Sequence, residues 1–279
     1  MRLKFGFSPC PNDTFMFDAL INRKIDVADL EFEALIADIE QLNLTALRKE
    51  ADIIKISYAL YPQICKNYQL LTSGSALGNN CGPLLVCKKE MNFNMSDVSA
   101  YSVAIPGKNT TANRLLTVVF PQLRNKRELL FSEIEDAVAC GKLDIGLIIH
   151  ESRFTYETKG LKKIVDLGQY WESATDLPIP LGGIAIQRDL PMSVKKEVND
   201  LIRQSILFAM SCNDGLSAFV TGNANTMDDD VMRKHIALYV NNYSVALGNK
   251  GKNAIYNFLN MNPKNGNPSE LQIKIFIDS

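Results

Sequence analysis

The apolar positions of the chain read first as strand, loop and helix in alternation. Residues 3–7 follow the two-residue period of a strand, and Ser8–Asn12 is a loop opening onto an apolar helix from Asp13 to Ile21, with Pro11 and Asp13 as start signals. Leu30–Leu35 reads as a second strand, Ile39–Glu50 as a helix, Ala51–Ile56 as a short buried strand and Tyr58–Tyr68 as a further helix. A β-α-β-α-β order implies a parallel sheet with crossover helices. The order then recurs, with a strand at Tyr101–Ile105, a turn at Pro106–Asn109 and a Thr-capped helix over Thr110–Phe120. A brief strand at Glu128–Phe131, a helix at Ser132–Cys140 and a strand at Leu143–Ile149 complete the second copy. The repeat shows in the letters as well, since Glu50-Ala51-Asp52-Ile53 and Lys142-Leu143-Asp144-Ile145 precede equivalent strands. Two copies predict two similar lobes rather than a solenoid.

Between the copies, the apolar run Leu84–Cys87 predicts a strand carrying the chain from lobe to lobe, and Leu177–Gln187 predicts a second crossing. Downstream the pattern is helical. Ser193 is expected to cap a run bearing Val194, Val198, Leu201, Ile202, Ile206 and Ala209. A further helix is expected to begin within Asp228–Asp230, where acids suit the positive end of the dipole, and another to follow Gly251. The weakly alternating tail Leu271–Ile277 receives no assignment. The predicted organisation is α/β: lobe 1 from residues 1–88 plus 188–279, lobe 2 from 89–187, two crossover connections and a central cleft. Ligands of open parallel sheets sit beyond the carboxyl ends of the strands. That rule nominates Ser8–Thr14, Lys55–Tyr58, Gly107–Thr111 and His150–Arg153 as cleft lining.

Composition narrows the partners. The 279 residues carry 30 Lys+Arg against 31 Asp+Glu, a net charge of −1 that gives nucleic acid or an anionic membrane surface no electrostatic purchase. Hydrophobic residues at 46 % and charged residues at 22 % are globular values and argue against disorder. No stretch approaches the roughly 18 unbroken apolar residues of a membrane span. No apolar core of a signal peptide follows the first charges. The six cysteines (Cys10, Cys65, Cys81, Cys87, Cys140, Cys212) are scattered without CxxC pairing, so reduced thiols and a cytoplasmic location are expected. Oligomeric state is not legible.

Candidate chemistry concentrates at the nominated loops. The chain has two histidines. His150 ends an apolar strand, where it either caps a neighbouring carbonyl or serves as a base near neutral pH; the strand-end position favours the base. His235, in Met232-Arg233-Lys234-His235, reads as a structural residue of a late helix. With no Cys or carboxylate motif beside either histidine, no metal site is expected. Thr110 and Thr111 offer hydroxyls and unpaired backbone N–H groups at a helix start, suited to a carboxylate or phosphate. The run lacks the GKS/GKT ending of a nucleotide loop, and no GxGxxG follows a strand. Cys10, stiffened between Pro9 and Pro11, is an activated thiolate or a structural residue, and a structural role is favoured. Asn12 and Asp13 either touch a substrate or cap the helix. Lys55 and Ser57 follow a buried strand without a GxSxG elbow, so hydrogen bonding to a substrate carboxylate suits them better than nucleophilic attack. Tyr170 and Trp171 read as packing residues.

Five strings resemble one family. They are Ser8-Pro9-Cys10-Pro11-Asn12-Asp13-Thr14-Phe15, Asp52-Ile53-Ile54-Lys55-Ile56-Ser57, Pro106-Gly107-Lys108-Asn109-Thr110-Thr111-Ala112, His150-Glu151-Ser152-Arg153-Phe154-Thr155-Tyr156 and Leu177-Pro178-Ile179-Pro180-Leu181-Gly182-Gly183. In this order they resemble the 1,4-dihydroxy-6-naphthoate synthase family of the futalosine route to menaquinone, from about residue 2 to 190 and more loosely beyond. The resemblance implies a two-lobed periplasmic-binding-protein-like (type II) fold. It implies a carbon–carbon lyase converting cyclic dehypoxanthinyl futalosine into 1,4-dihydroxy-6-naphthoate and dihydroxyacetone without a redox cofactor. It also implies His150 as proton acceptor, with Lys55, Ile56, Ser57, Thr110 and Thr111 as substrate contacts; Asn12 joins them as a candidate from the loop. Two alternatives stay open: a solute-binding protein that merely holds a small anion, and the chorismate dehydratase of the same route, against which the SPCPNDTF string argues.

Overall fold

Each of the two copies folds around its own sheet. The computed structural model describes residues 1–212, 215–224, 228–261 and 274–277. The chain divides into two compact units, Met1–Gly78 with Pro180–Ser279 and Asn79–Ile179.

The first unit begins with β1 (Arg2–Phe7), α1 (Pro11–Ile21), β2 (Glu31–Ile36), α2 (Ile39–Arg48), β3 (Ile53–Ser57), the one-turn α3 (Tyr61–Ile64), β4 (Tyr68–Leu70) and β5 (Ala76–Gly78). The second holds β6 (Leu84–Lys88), β7 (Val103–Ile105), α4 (Thr111–Val119), β8 (Lys126–Glu128), α5 (Phe131–Ala139), β9 (Ile145–Ile148), α6 (Ser152–Thr155), β10 (Leu161–Asp166) and α7 (Leu167–Thr175). The chain returns to the first unit through β11 (Ile179–Gln187) and continues as α8 (Met192–Ser211), α9 (Ala218–Asn223), α10 (Asp229–Tyr239), α11 (Asn242–Val245) and α12 (Gly248–Asn260).

The first sheet runs β2-β1-β3-β11-β4, with β5 also on β11; the second runs β8-β7-β9-β6-β10. In each, the first three strands are parallel and the next is antiparallel to its neighbour, β11 on β3 and β6 on β9. The repeated aspartate has the same job in both. Phe5 pairs with Ile53 and Val103 with Ile145. One residue earlier in each register, Asp52 Oδ2 accepts from the Lys4 backbone N–H at 2.8 Å and Asp144 Oδ2 accepts from that of Ser102 at 2.8 Å.

Apolar alternation on β1 places Phe5 and Phe7 on one face, where both meet Phe17 of α1, with ring centroids 4.9–5.3 Å apart. Each such aromatic pair adds about 0.5–1.5 kcal/mol beyond its buried area. Ile202 and Ile206 of α8 close the same core. On α8, Ser205 Oγ donates to the Met16 carbonyl at 2.6 Å and accepts from the Leu20 N–H at 3.1 Å, binding α8 to α1. The second core gathers Val86, Ala104, Ile134, Val138, Ile148 and Leu161. Here the backbones of Gly82 and Gly168 lie so close that a Cβ on Gly168 would come within 2.7 Å of the Gly82 Cα.

Several expectations are revised. Tyr58–Tyr68 is not one helix: a 3-10 turn over Tyr58–Leu60 and α3 give way to β4. The cause is side-chain satisfaction. Tyr68 is buried with its hydroxyl donating to the Ala51 carbonyl at 2.6 Å, and its backbone pairs with Gln187 of β11. Phe131 starts α5 rather than ending a strand, and β8 stops at Glu128. Pro191 occupies the cap position of α8, so Ser193 falls inside the first turn. Helix α12 begins at Gly248, and Gly251 sits within it, where a Cβ would crowd Leu247 and Tyr243 at 3.1–3.2 Å. Asp228 caps α10 as expected, accepting from Asp230 and Val231 N–H groups. The run Leu84–Cys87 lies inside the second unit, paired between β9 and β10, and the division falls after Gly78 and again before Pro180. In the tail, Phe276 bridges to Leu70 beside β4, and Tyr61 Oη donates to the Ile275 carbonyl at 3.2 Å; residues 271–273 lie outside the described residues. No helix among the described residues is long and apolar enough to cross a membrane.

Candidate active site

In the first unit the ends of β1 and β3 meet in a buried ionic network. Pro11 is the first residue of α1, its φ already helical and its missing N–H one the helix would not use. Cys10 stands at the cap position, where its carbonyl accepts from Asp13 and Thr14 N–H groups, and its thiol makes no capping bond. Asp13 collects four donors. Its Oδ2 accepts from the Ser8 backbone N–H (3.1 Å) and hydroxyl (2.7 Å), and its Oδ1 from Asn12 Nδ2 (2.9 Å) and Lys55 Nζ (2.6 Å). The Lys55–Asp13 pair is 6 % and 1 % exposed, so little water screens it. The Asn12 carbonyl oxygen then accepts from His235 Nε2 at 2.8 Å; the tautomer follows from Asn12 giving its amide hydrogens to Asp13. His235 is fully buried, its ring 4.6 Å from that of Tyr239, and its structural reading stands.

At the end of β3, Ser57 is held by Asn43 of α2. The Ser57 N–H donates to Asn43 Oδ1 at 2.9 Å, and Ser57 Oγ accepts from Asn43 Nδ2 at 3.1 Å. Asn43 is a functional neighbour that sequence reasoning passed over; its signal was a polar residue on the buried face of an otherwise regular helix, three residues after Glu40. Ile56 has its side chain in the interior and pairs through its backbone with Gly183. A side chain at Gly183 would collide with the buried Tyr58 hydroxyl, which bonds Ser75 Oγ at 2.8 Å. The Gly182-Gly183 pair is therefore needed for close approach of strand to ring.

In the second unit, β7 leads through Pro106–Asn109 to α4. Thr110 caps the helix: its Oγ1 donates to the Gly107 carbonyl at 2.8 Å and accepts from the Asn113 N–H at 3.2 Å. Thr110 and Thr111 are both buried at this N-terminus, where the positive end of the helix dipole favours an anion. Beyond β9, His150 adopts a left-handed backbone at φ +55°, a conformation that costs a residue with a side chain of order 1 kcal/mol and that clusters at functional positions. Its ring lies 4.8 Å from the Phe131 ring, the first residue of α5. The two residues after it differ sharply. Ser152 Oγ donates to Glu135 Oε2 at 2.8 Å, and Thr155 Oγ1 to Glu135 Oε1 at 3.1 Å. Glu151, 7 % exposed, has no hydrogen-bond partner at either carboxylate oxygen among the described residues. Burial pushes its carboxyl above the ordinary glutamate range and the Glu135 charge adds to this, against the pull of its own backbone amide.

Arg153 and Trp171 are structural anchors. Arg153 Nη1 donates to the Gly82 carbonyl at 2.5 Å, and Nη2 pairs with Asp166 Oδ2 at 2.6 Å, while Asp166 Oδ1 caps α7 through the Gly168 and Gln169 N–H groups. Trp171 is buried with its indole N–H donating to the Pro178 carbonyl at 3.2 Å, whereas Tyr170 is 45 % exposed. None of the six cysteines is in a disulfide.

Comparison with known proteins finds relatives that match along most of the chain. The chain is 38 % identical over 253 residues to a Thermus thermophilus protein named 1,4-dihydroxy-6-naphtoate synthase, covering 91 % of each chain. It is also 38 % identical over 262 residues to a Streptomyces coelicolor protein of the same name, covering 92 % of this chain and 91 % of the other. A solved protein of Archaeoglobus fulgidus superposes with a TM-score of 0.87 at 32 % identity, over 93 % of this chain and 96 % of that one. A Candida albicans protein described as having the generic periplasmic binding protein fold superposes at 0.62 with 15 % identity, over 96 % and 97 %, which bears on fold alone. The fold is periplasmic-binding-protein-like, with mixed α/β sheets in both units. Because a family described as menaquinone biosynthesis matches residues 3–264, a span that takes in the Asp13 network, the α4 N-terminus and His150, the chain belongs to that menaquinone-biosynthesis family.

Proposed function

We infer that the chain is a 1,4-dihydroxy-6-naphthoate synthase, a cytoplasmic lyase that converts cyclic dehypoxanthinyl futalosine into 1,4-dihydroxy-6-naphthoate and dihydroxyacetone. The observation that carries this reading is the 38 % identity to two proteins of that name across some nine-tenths of the chain. The site geometry supports a matching division of labour. The N-terminus of α4, with Thr110 and Thr111, offers hydroxyls and a positive dipole end to a substrate carboxylate. His150 is the general base: as neutral imidazole it removes a proton and starts the carbon–carbon cleavage that releases the sugar-derived fragment, and aromatisation of the remaining ring system drives the step. In the first unit, Ser57 and the backbone of Ile56 at the end of β3 are the polar groups we assign to further substrate contact. Lys55 and Asn12 belong to the same assignment, with the Asp13 carboxylate fixing their direction.

The test is direct. The purified protein is incubated separately with cyclic dehypoxanthinyl futalosine and with chorismate, and the products are identified by mass spectrometry. Naphthoate formation from the first alone supports the reading. Dehydration of chorismate would reassign the chain to the neighbouring step, and ligand-induced stabilisation with no product from either would make it a binding protein.

A further inference from the structure

Glu151 is the one buried carboxylate of the second unit that the fold itself leaves without a bonding role among the described residues. Glu135, equally buried, is held by Ser152, Thr155 and Lys159, and Asp166 by Arg153 and two backbone N–H groups. A buried polar group with no partner costs on the order of 1–3 kcal/mol, and such groups call for an explanation of their retention. A Glu151 carboxylate oxygen lies within 4.8 Å of a His150 ring nitrogen without a hydrogen bond between them, near enough for both to reach one small molecule.

We propose that Glu151 is a substrate-contacting residue, whose carboxyl hydrogen-bonds a hydroxyl of the sugar-derived half of the substrate and holds that half against His150. This rests on the lyase reading above. The left-handed turn at His150 is what allows the two neighbours to serve one ligand: it breaks the run of β9, so that consecutive side chains need not point to opposite faces as they do along a strand. Burial favours the uncharged carboxyl, which both donates and accepts, and thus suits a hydroxyl partner better than a second anion.

The test pairs turnover with stability in wild type, Glu151→Met and Glu151→Gln. An apolar side chain of similar volume removes an unsatisfied buried group, so Glu151→Met is expected to melt at a higher temperature than wild type while kcat/KM falls about 10–100-fold. Glu151→Gln, which keeps a donor and an acceptor, is expected to recover part of that loss, chiefly in KM. A structural role would instead lower the melting temperature of Glu151→Met, and that result overturns the inference. Unchanged kcat/KM in Glu151→Met beside an active wild type overturns it alone. An inactive wild type overturns the lyase reading, and this inference with it.

Discussion

The two units share their wiring and differ in how their strand ends are finished. Counting five residues beyond the equivalent isoleucines Ile53 and Ile145 reaches Tyr58 in the first unit and His150 in the second. Tyr58 is a closed case: fully buried, its hydroxyl on Ser75 and its ring filling the space left by Gly183, with burial pushing its pKa far up. His150 sits half-buried in a strained turn, followed by a carboxylate with no bond to make. The loops before α1 and α4 are also held differently. The first is locked by the buried Asp13 with four donors, while the second is tied by the Thr110 cap, by the Lys108 N–H on Glu128 and by Asn113 Nδ2 on the Lys108 carbonyl. A duplicated frame thus supplies two sets of equivalent positions, one with its hydrogen bonds saturated and one left more open.

The largest test of that contrast is His150→Ala. Turnover is expected to fall about 10²–10⁴-fold with the far-ultraviolet circular dichroism and melting temperature little changed; a folded, fully active variant would remove the base from the scheme. In the saturated unit the effect should run the other way, through stability. Lys55→Met strands the Asp13 carboxylate in the interior and is expected to cost about 3–5 kcal/mol in urea unfolding. Smaller is Gly183→Ala, whose methyl group meets the Tyr58 hydroxyl; a loss of about 1–3 kcal/mol is expected, part of it restored in the double variant with Tyr58→Phe. Removing the hydroxyl cap in Thr110→Ala should cost about 1 kcal/mol of stability and raise KM through the weakened α4 N-terminus.

The last prediction concerns pH. Because the folded-state pKa of Glu151 is raised, the unfolded chain ionises this group first, and the native state holds the extra proton at pH values between the two. Its contribution therefore favours folding below the ordinary glutamate range and is lost as pH rises towards the folded value. The stability gap between Glu151→Met and wild type should accordingly widen with rising pH from about 4.5 upward, and a gap independent of pH would contradict the shift.

Much of this was legible in the chain. The duplicated Asp52-Ile53 and Asp144-Ile145 signalled equivalent strands because the aspartate side chain bonds the neighbouring strand, a local event that a short motif can encode. Helix starts at Asp228 and Thr110 were visible for the same reason. Elements set by distant partners were not. Strand β4 depends on Ala51, on β11 and on the tail residues Ile275–Ile277, none of which its own sequence announces. At the site, His150, Thr110 and Ser57 could be picked out by residue type and position at strand and helix ends. The locked state of Asn12 and Lys55 could not, since it arises from Asp13 and His235, the latter separated from Asn12 by 223 residues. Glu151 stood within the nominated His150–Arg153 segment, but its lack of a partner is a property of packing rather than of spacing.

Strand β11 lies between β3 and β4 in the first sheet, although the whole of the second unit precedes it in the chain. During synthesis the inserted unit emerges in one continuous stretch and can form its sheet while the ribosome is still short of the strand that joins β3 to β4. Until then, β3 keeps one edge unpaired. Aggregation during expression should therefore be governed by translation speed through residues 79–187, with slowing there prolonging the exposure.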